Sequence, residues 1–218
     1  PRLQAPREDG EVLLEPSGSE LTSLIDANIQ RFEGINYDMQ GRSFAELRQQ
    51  ARSELVAAAS QYTSTYLDPA RGTDFPRLLL AGHQPGLFHP GVWLKNAALD
   101  RLARQHNAVG VNLQIDNDTL KAPSIRVPSG TIDSPTARPV LFDRAEAEIP
   151  FEQREIADRA VFESFGSRAA EQIAPFISDP LLNEYWPRVI ERSQHTNLLG
   201  LCISQARHRL ESSWGLAN

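Results

Sequence analysis

The run Arg77-Leu78-Leu79-Leu80-Ala81, set between Pro76 and Gly82, constrains this chain more than any other feature. It is too short for a helix, and an uninterrupted apolar run of this length suits a strand buried on both faces. A Gly- and Pro-rich loop follows, Gly82-His83-Gln84-Pro85-Gly86-Leu87-Phe88-His89-Pro90-Gly91, and leads into a helical pattern carrying Trp93, Leu94, Ala97, Ala98, Leu99, Leu102 and Ala103. Val109 to Ile115 alternates as a second strand and ends in the acidic turn Asp116-Asn117-Asp118. Strand, loop, helix and strand make a βαβ unit with a right-handed crossover, which puts both loops at strand carboxyl ends. The predicted fold is therefore α/β: a three-layer domain with a mainly parallel sheet and additional helices.

On either side of this unit the periodicity is helical. Leu21, Leu24, Ile25 and Ile29 predict a helix over Ser19 to Phe32, after a Pro-rich lead in which Glu11 to Glu15 is the only strand-like piece. Ser43 and Glu46 form a capping-box pattern ahead of a helix that runs to about Leu67 and is stopped by Asp68-Pro69. Ser124 to Val127 and Pro139 to Phe142 read as short strands, with Ser129-Gly130 and Asp133-Ser134-Pro135 as turns. From Phe151 onward three helices are expected. The predicted organisation is a helical lead-in over 1–75, an α/β core over 76–150 and a helical annex over 151–218. The chain starts at Pro1 and has a helix ending near Gly215, so it reads as part of a longer protein that continues into further core strands.

Composition narrows the function classes. The 22 Lys plus Arg against 28 Asp plus Glu leave a net charge of -6, which gives no basic footprint for nucleic acid. No apolar run approaches the roughly 20 residues of a membrane-spanning helix, so a soluble chain with no membrane partner is expected. Cys202 is the only cysteine, which excludes an internal disulfide and a Cys-rich zinc cluster and suits a cytoplasmic address. It lies in the apolar stretch Leu198 to Ile203 and reads as packing.

Two constellations could carry chemistry. In the first, Gly82, Gly86 and Gly91 allow close backbone approach, and the start of the following helix offers N–H donors at the positive end of its dipole, suited to phosphate or carboxylate. Lys95 adds a full charge one turn in, Gln84 lies in the loop, and His83 and His89 are candidate acids, bases or hydrogen-bond donors. The competing reading is a tight strand-to-helix connection with one histidine capping the backbone. In the second, Asp116, Asn117 and Asp118 with Lys121 can hold an amine, ribose hydroxyls or Mg²⁺, or can form an Asx turn. Two histidines do not make a metal site, so no metal is assigned; a nucleotide such as ATP or ADP ranks ahead of Mg²⁺ as cofactor.

The residues Leu80-Ala81-Gly82-His83-Gln84-Pro85-Gly86-Leu87-Phe88, then Pro90-Gly91, Lys95 and the acidic strand end at Asp116 to Asp118, resemble the bacillithiol-synthesis cysteine-adding enzymes (BshC type). Arg207 to Asn218 is also similar to an Arg-x-x-Leu-Glu region of that family, and the core resemblance covers roughly residues 77 to 127. The resemblance implies a Rossmann-like, nucleotidylyltransferase-like core and a ligase that joins cysteine to an amino-sugar conjugate. His83 stands where the family has Gln, Pro85 replaces a small residue, and Asp116-Asn117-Asp118 differs from its Asp-His-Asp run, so the shared fold carries further than the shared substrate. The His-Gln-Pro-x-x-Phe-x-Pro pattern of WbqC-like proteins is a second, shorter likeness. The expected function is a ligase or transferase core that binds a nucleotide or other anionic small molecule. The alternative is a non-catalytic ligand-binding or assembly module, with its long helices forming a homodimer surface.

Overall fold

A computed structural model describes residues 4, 6–8, 10–68, 77–87, 89–144 and 148–218. Pro69, Pro76 and Phe88, used above as a helix stop, a strand flank and part of a motif, lie outside the described residues. The chain divides into two compact units, 1–58 and 59–218.

In the first unit, helix α1 (Gly18–Glu33) opens on a capping box: Ser17 Oγ accepts from Glu20 N at 3.3 Å, and Glu20 Oε2 accepts from Ser17 N at 2.8 Å. Residues 11–15, expected to be strand-like, join no strand. A minimal hairpin, β1 (Asp38–Met39) and β2 (Arg42–Ser43), turns on Gln40 and Gly41, both at positive φ as a type I′ turn requires. The predicted Ser43–Glu46 box starts helix α2 (Phe44–Ser64), and residues 65–67 continue only as turns. Neither α1 nor α2 has a buried residue.

In the second unit, β3 (Arg77–His83), α3 (Pro90–Gln105) and β4 (Ala108–Gln114) realise the predicted βαβ unit, and β3 and β4 pair in parallel from Arg77↔Ala108 to His83↔Gln114. Paired residues in parallel strands share a face. A Cβ on Gly110 would lie 3.3 Å from Leu99 and 3.5 Å from Ala103, so α3 covers the face that carries Leu79, Ala81 and His83 on β3. The expectation that Arg77–Ala81 is buried on both faces is corrected: Leu80, on the other face, is 53% exposed. Helix α3 covers one face of the β3–β4 pair, and among the described residues β4 is the one strand that pairs with β3.

The next two strands, β5 (Ser124–Thr131) and β6 (Ser134–Leu141), pair antiparallel with each other. The architecture is mixed α/β, but among the described residues the expected mainly parallel sheet is found as one parallel and two antiparallel pairs, each of two strands. Ser129 and Gly130 are ladder residues rather than a turn, paired with Thr136 and Pro135. The prolines explain how so Pro-rich a stretch remains a ladder. Arg126↔Pro139, Pro128↔Ala137 and Gly130↔Pro135 alternate along the register, and a residue without an N–H fits only in pairs that exchange no hydrogen bonds. All three prolines therefore turn their nitrogens outward.

Three helices follow as predicted: α4 (Arg159–Ile173), α5 (Leu182–Arg192) and α6 (Leu199–Ser213). They bury Phe162, Phe165, Trp186, Val189, Leu199, Ile203 and Leu210 against Val127, Val140 and Phe142 at the base of the β5–β6 ribbon. Each such side chain contributes about 1.5–3 kcal/mol of transfer free energy. Trp186 also donates to the Phe162 carbonyl at 2.8 Å, so its indole N–H is satisfied inside the core. Cys202 is buried as expected, and burial pushes its thiol up to about 11.

Two polar anchors hold this unit together. The wholly buried Asp143 accepts from the N–H groups of Arg144, Ala157 and Asp158 and pairs with Arg154 Nη2 at 3.3 Å. Beyond Ala58, the last turns of α2 are tied to α6: Tyr66 Oη lies 2.8 Å from His208 Nδ1, and Gln205 Nε2 donates to Tyr62 Oη at 3.2 Å. Among the described residues, no helix is long and apolar enough to cross a membrane.

Candidate functional site

The parallel register delivers His83 and Gln114 side by side at the carboxyl ends of β3 and β4, on the face covered by α3. The chain leaves β3 through Gln84, and leaves β4 through a turn at Asp116 to Asp118. Gln84 Nε2 donates to Asp118 Oδ2 at 2.6 Å, so the two constellations singled out in the sequence meet across one mouth. Lys95, one turn into α3, sends Nζ back to the Gly82 carbonyl at 2.9 Å while its side chain stays exposed. An ammonium has three donors, so two remain for a ligand after this bond.

His89 is the N-cap of α3. Its Nδ1 accepts from Gly91 N at 3.0 Å, and a Cβ on Gly91 would sit 3.2 Å from that nitrogen, which accounts for the glycine. Pro90 has no N–H to offer, and Val92 N is bonded to the His89 carbonyl at 2.8 Å. The donors that a bare helix start would present to an anion are thus engaged from within. Lys95, not the helix terminus, is the cationic feature on this side of the mouth.

On the other side, the acidic turn is fixed by its own backbone. The Asp118 and Asp116 carbonyls accept from Phe151 N and Glu152 N at 3.0 and 2.9 Å, and Asp118 Oδ1 accepts from Thr119 N at 2.8 Å. The Gln84 hydrogen bond, followed by the Thr119 N–H and the nearby Lys121 charge, holds the Asp118 carboxyl below its usual range, so it is an exposed carboxylate at neutral pH. Asn117 and Lys121 are exposed and Asp116 is half-buried. His83 is half-buried, with Nδ1 3.5 Å from the Gln84 carbonyl. Gly86 packs toward Phe151, and Pro85 is buried against α6, where a Cβ on Gly200 would lie 3.0 Å from its Cγ.

Beneath the mouth lies a polar layer whose Arg207 and Glu211 belong to the Arg-x-x-Leu-Glu resemblance noted above but were assigned no role in the site. Gly200, Ser204, Arg207 and Glu211 recur at intervals of four, three and four along α6 and so form one stripe. Gly200 backs the loop through Pro85. Arg207 Nη2 donates to Gln114 Oε1 at 3.3 Å, and Arg207 Nε lies 3.6 Å from Glu211 Oε1. Asn96 Nδ2, from α3, donates to the same Glu211 oxygen at 2.8 Å, and Asn218 Nδ2 holds the Asn96 carbonyl at 2.8 Å. Arg207 and Glu211 are 4% and 2% exposed. Burial raises the Glu211 carboxyl, opposed by the Asn96 hydrogen bond and the Arg207 charge. Ser204 Oγ is buried without a hydrogen-bond partner among the described residues. The available signal for this layer was Arg207 and Glu211 four residues apart, a spacing that places both on one face of α6.

No protein-family model, curated protein or solved structure matches this chain. What the site can do therefore follows from its own groups. It brings together an ammonium (Lys95), an ionised carboxylate (Asp118), an imidazole (His83) and two carboxamides (Gln84, Gln114), over a buried ion pair. Among the described residues, no three His, Cys, Asp or Glu side chains gather as a metal site would need.

Proposed function

We propose that this chain is the core of a BshC-like ligase or transferase that binds a nucleotide or other anionic small molecule across the carboxyl ends of β3 and β4, in a three-layer Rossmann-like arrangement. The observation that carries this reading is the convergence of Lys95, His83, Gln84 and Asp118 at that one edge, where open α/β folds take their ligands. Lys95 contacts phosphate or carboxylate, His83 polarises or protonates, and Asp118 with Asp116 holds an amine or ribose hydroxyl. On this reading the protein acts in the cytoplasm on a small anionic substrate, and ATP or ADP is the favoured cofactor class. The second reading, a non-catalytic ligand-binding or assembly module, draws support from His89, whose Nδ1 is spent on capping α3.

Thermal-shift titration of the protein and of Lys95→Ala against ATP, ADP, AMP, CTP and a sugar phosphate, with and without Mg²⁺, separates the two. A ligand at 100 times its Kd stabilises the folded state by about 2.7 kcal/mol. A shift for one ligand that Lys95→Ala abolishes is the expected result. No shift with any of them would favour the assembly module.

A further inference from the structure

We infer that Gln114 is a ligand-contacting, specificity-determining residue, its carboxamide N–H donors turned to an anionic ligand group by Arg207. This inference rests on the reading of the β3–β4 carboxyl edge as a ligand site. Gln114 is the last residue of β4, half-buried and beside His83 in the register. Its amide is not free to present either end. The guanidinium of Arg207 has donors and no acceptor, so the carboxamide must turn its oxygen to Arg207, as the 3.3 Å Nη2···Oε1 contact records. The two N–H donors on Nε2 are therefore directed away from α6. The orientation is held from below: Glu211 balances Arg207 on α6, Asn96 ties Glu211 to α3, and Asn218 ties the Asn96 backbone.

A side chain fixed in this way selects for acceptors. A phosphate or carboxylate oxygen at the mouth would be met by Gln114 donors from β4 and Lys95 donors from α3, whereas a cationic group would meet N–H dipoles of the wrong sign. Arg207 acts here as a positioning residue, since its contact is with Gln114 and not with the ligand.

The decisive variant is Gln114→Glu. It keeps an acceptor toward Arg207 at nearly the same shape, so the fold is retained, but it replaces the donors with a second acceptor oxygen and a negative charge. Isothermal titration of both proteins with ADP, pyrophosphate and succinate separates phosphate from carboxylate recognition. The expected result is that Gln114→Glu weakens the best wild-type probe by about tenfold or more, the range for losing a hydrogen bond to a charged group, while the ligand-free melting temperature is unchanged or higher. Gln114→Met, which also lacks the donors but adds no charge, is expected to weaken the same probe by a smaller factor. Equal affinity in wild type and Gln114→Glu would overturn this assignment and leave the site reading standing. Wild type that binds none of the three probes would overturn the site reading, and this inference with it.

Discussion

Ser204 sits on the same stripe of α6 as Arg207, with a hydroxyl that makes no hydrogen bond among the described residues. Ser204→Ala removes a buried polar atom whose desolvation is uncompensated, so urea unfolding is expected to show stability unchanged or raised by about 1 kcal/mol. Its neighbour Gly200 has the opposite sensitivity. Alanine improves helix propensity by roughly 1 kcal/mol, but its Cβ would press on the rigid, buried ring of Pro85 at 3.0 Å and on Phe151 at 3.4 Å. Overpacking of that kind costs about 1–3 kcal/mol, so Gly200→Ala is expected to be net destabilising in the same assay. At this scale the mouth was legible, because Gly, Pro, His and a lone Lys stand out in a strand-to-helix loop. Gln114 was not, and Arg207 stood out only through the Arg-x-x-Leu-Glu resemblance, with no role in the site. A glutamine at a strand end looks like any solvated residue until α6 is brought to it from 93 positions away.

Elements with strong local signals were readable for the same reason that they form. The Ser43–Glu46 box, the 3.6-residue periodicity of α3 and the apolar run of β3 specify themselves within a few residues. The β5–β6 ribbon was broken into pieces because Ser129-Gly130 carries turn chemistry while its partners lie across a ladder. Contacts between elements are long-range in the same way, and the tie between α2 and α6 is one of them. Burial, and then the charge of Arg207, pushes His208 down to about 4, so His208 is neutral in the folded protein and titrates near 6.5 when unfolded. A depressed histidine pKa means that the unfolded chain binds the proton first. Stability from this group is complete above about pH 6.5 and is lost as the pH falls toward 4, by about 3 kcal/mol at most. Denaturant unfolding across pH 4–7 is expected to show that slope, and His208→Gln to flatten it.

For the molecule as a whole, the buried apolar residues among those described all lie between Pro85 and Leu210, inside the second unit, while the helices of the first bury none. Removing residues 1–43 therefore takes away no buried core, and the remaining chain is expected to keep a single cooperative unfolding transition, read by circular dichroism in urea. Arg154→Met is expected to act globally by contrast. It leaves the wholly buried Asp143 carboxylate without its cation, a loss on the order of 3–5 kcal/mol, visible in the same transition as a lower midpoint with an unchanged slope. Sequence reading supplied the α/β class at this scale. It did not supply the partition into separate strand pairs, because which strand pairs with which is decided by contacts far apart in the chain.

The outward-facing prolines of the ribbon have a practical meaning for anyone handling the protein. Pro128, Pro135 and Pro139 each remove one outward N–H that a passing strand would need to extend the ladder, one from each of three successive outward-facing pairs. The arm therefore offers a docking strand an interrupted row of donors, although its tip residue Ile132 is 73% exposed. That makes the Ile132–Asp133 turn a natural place to splice an epitope or a fluorophore.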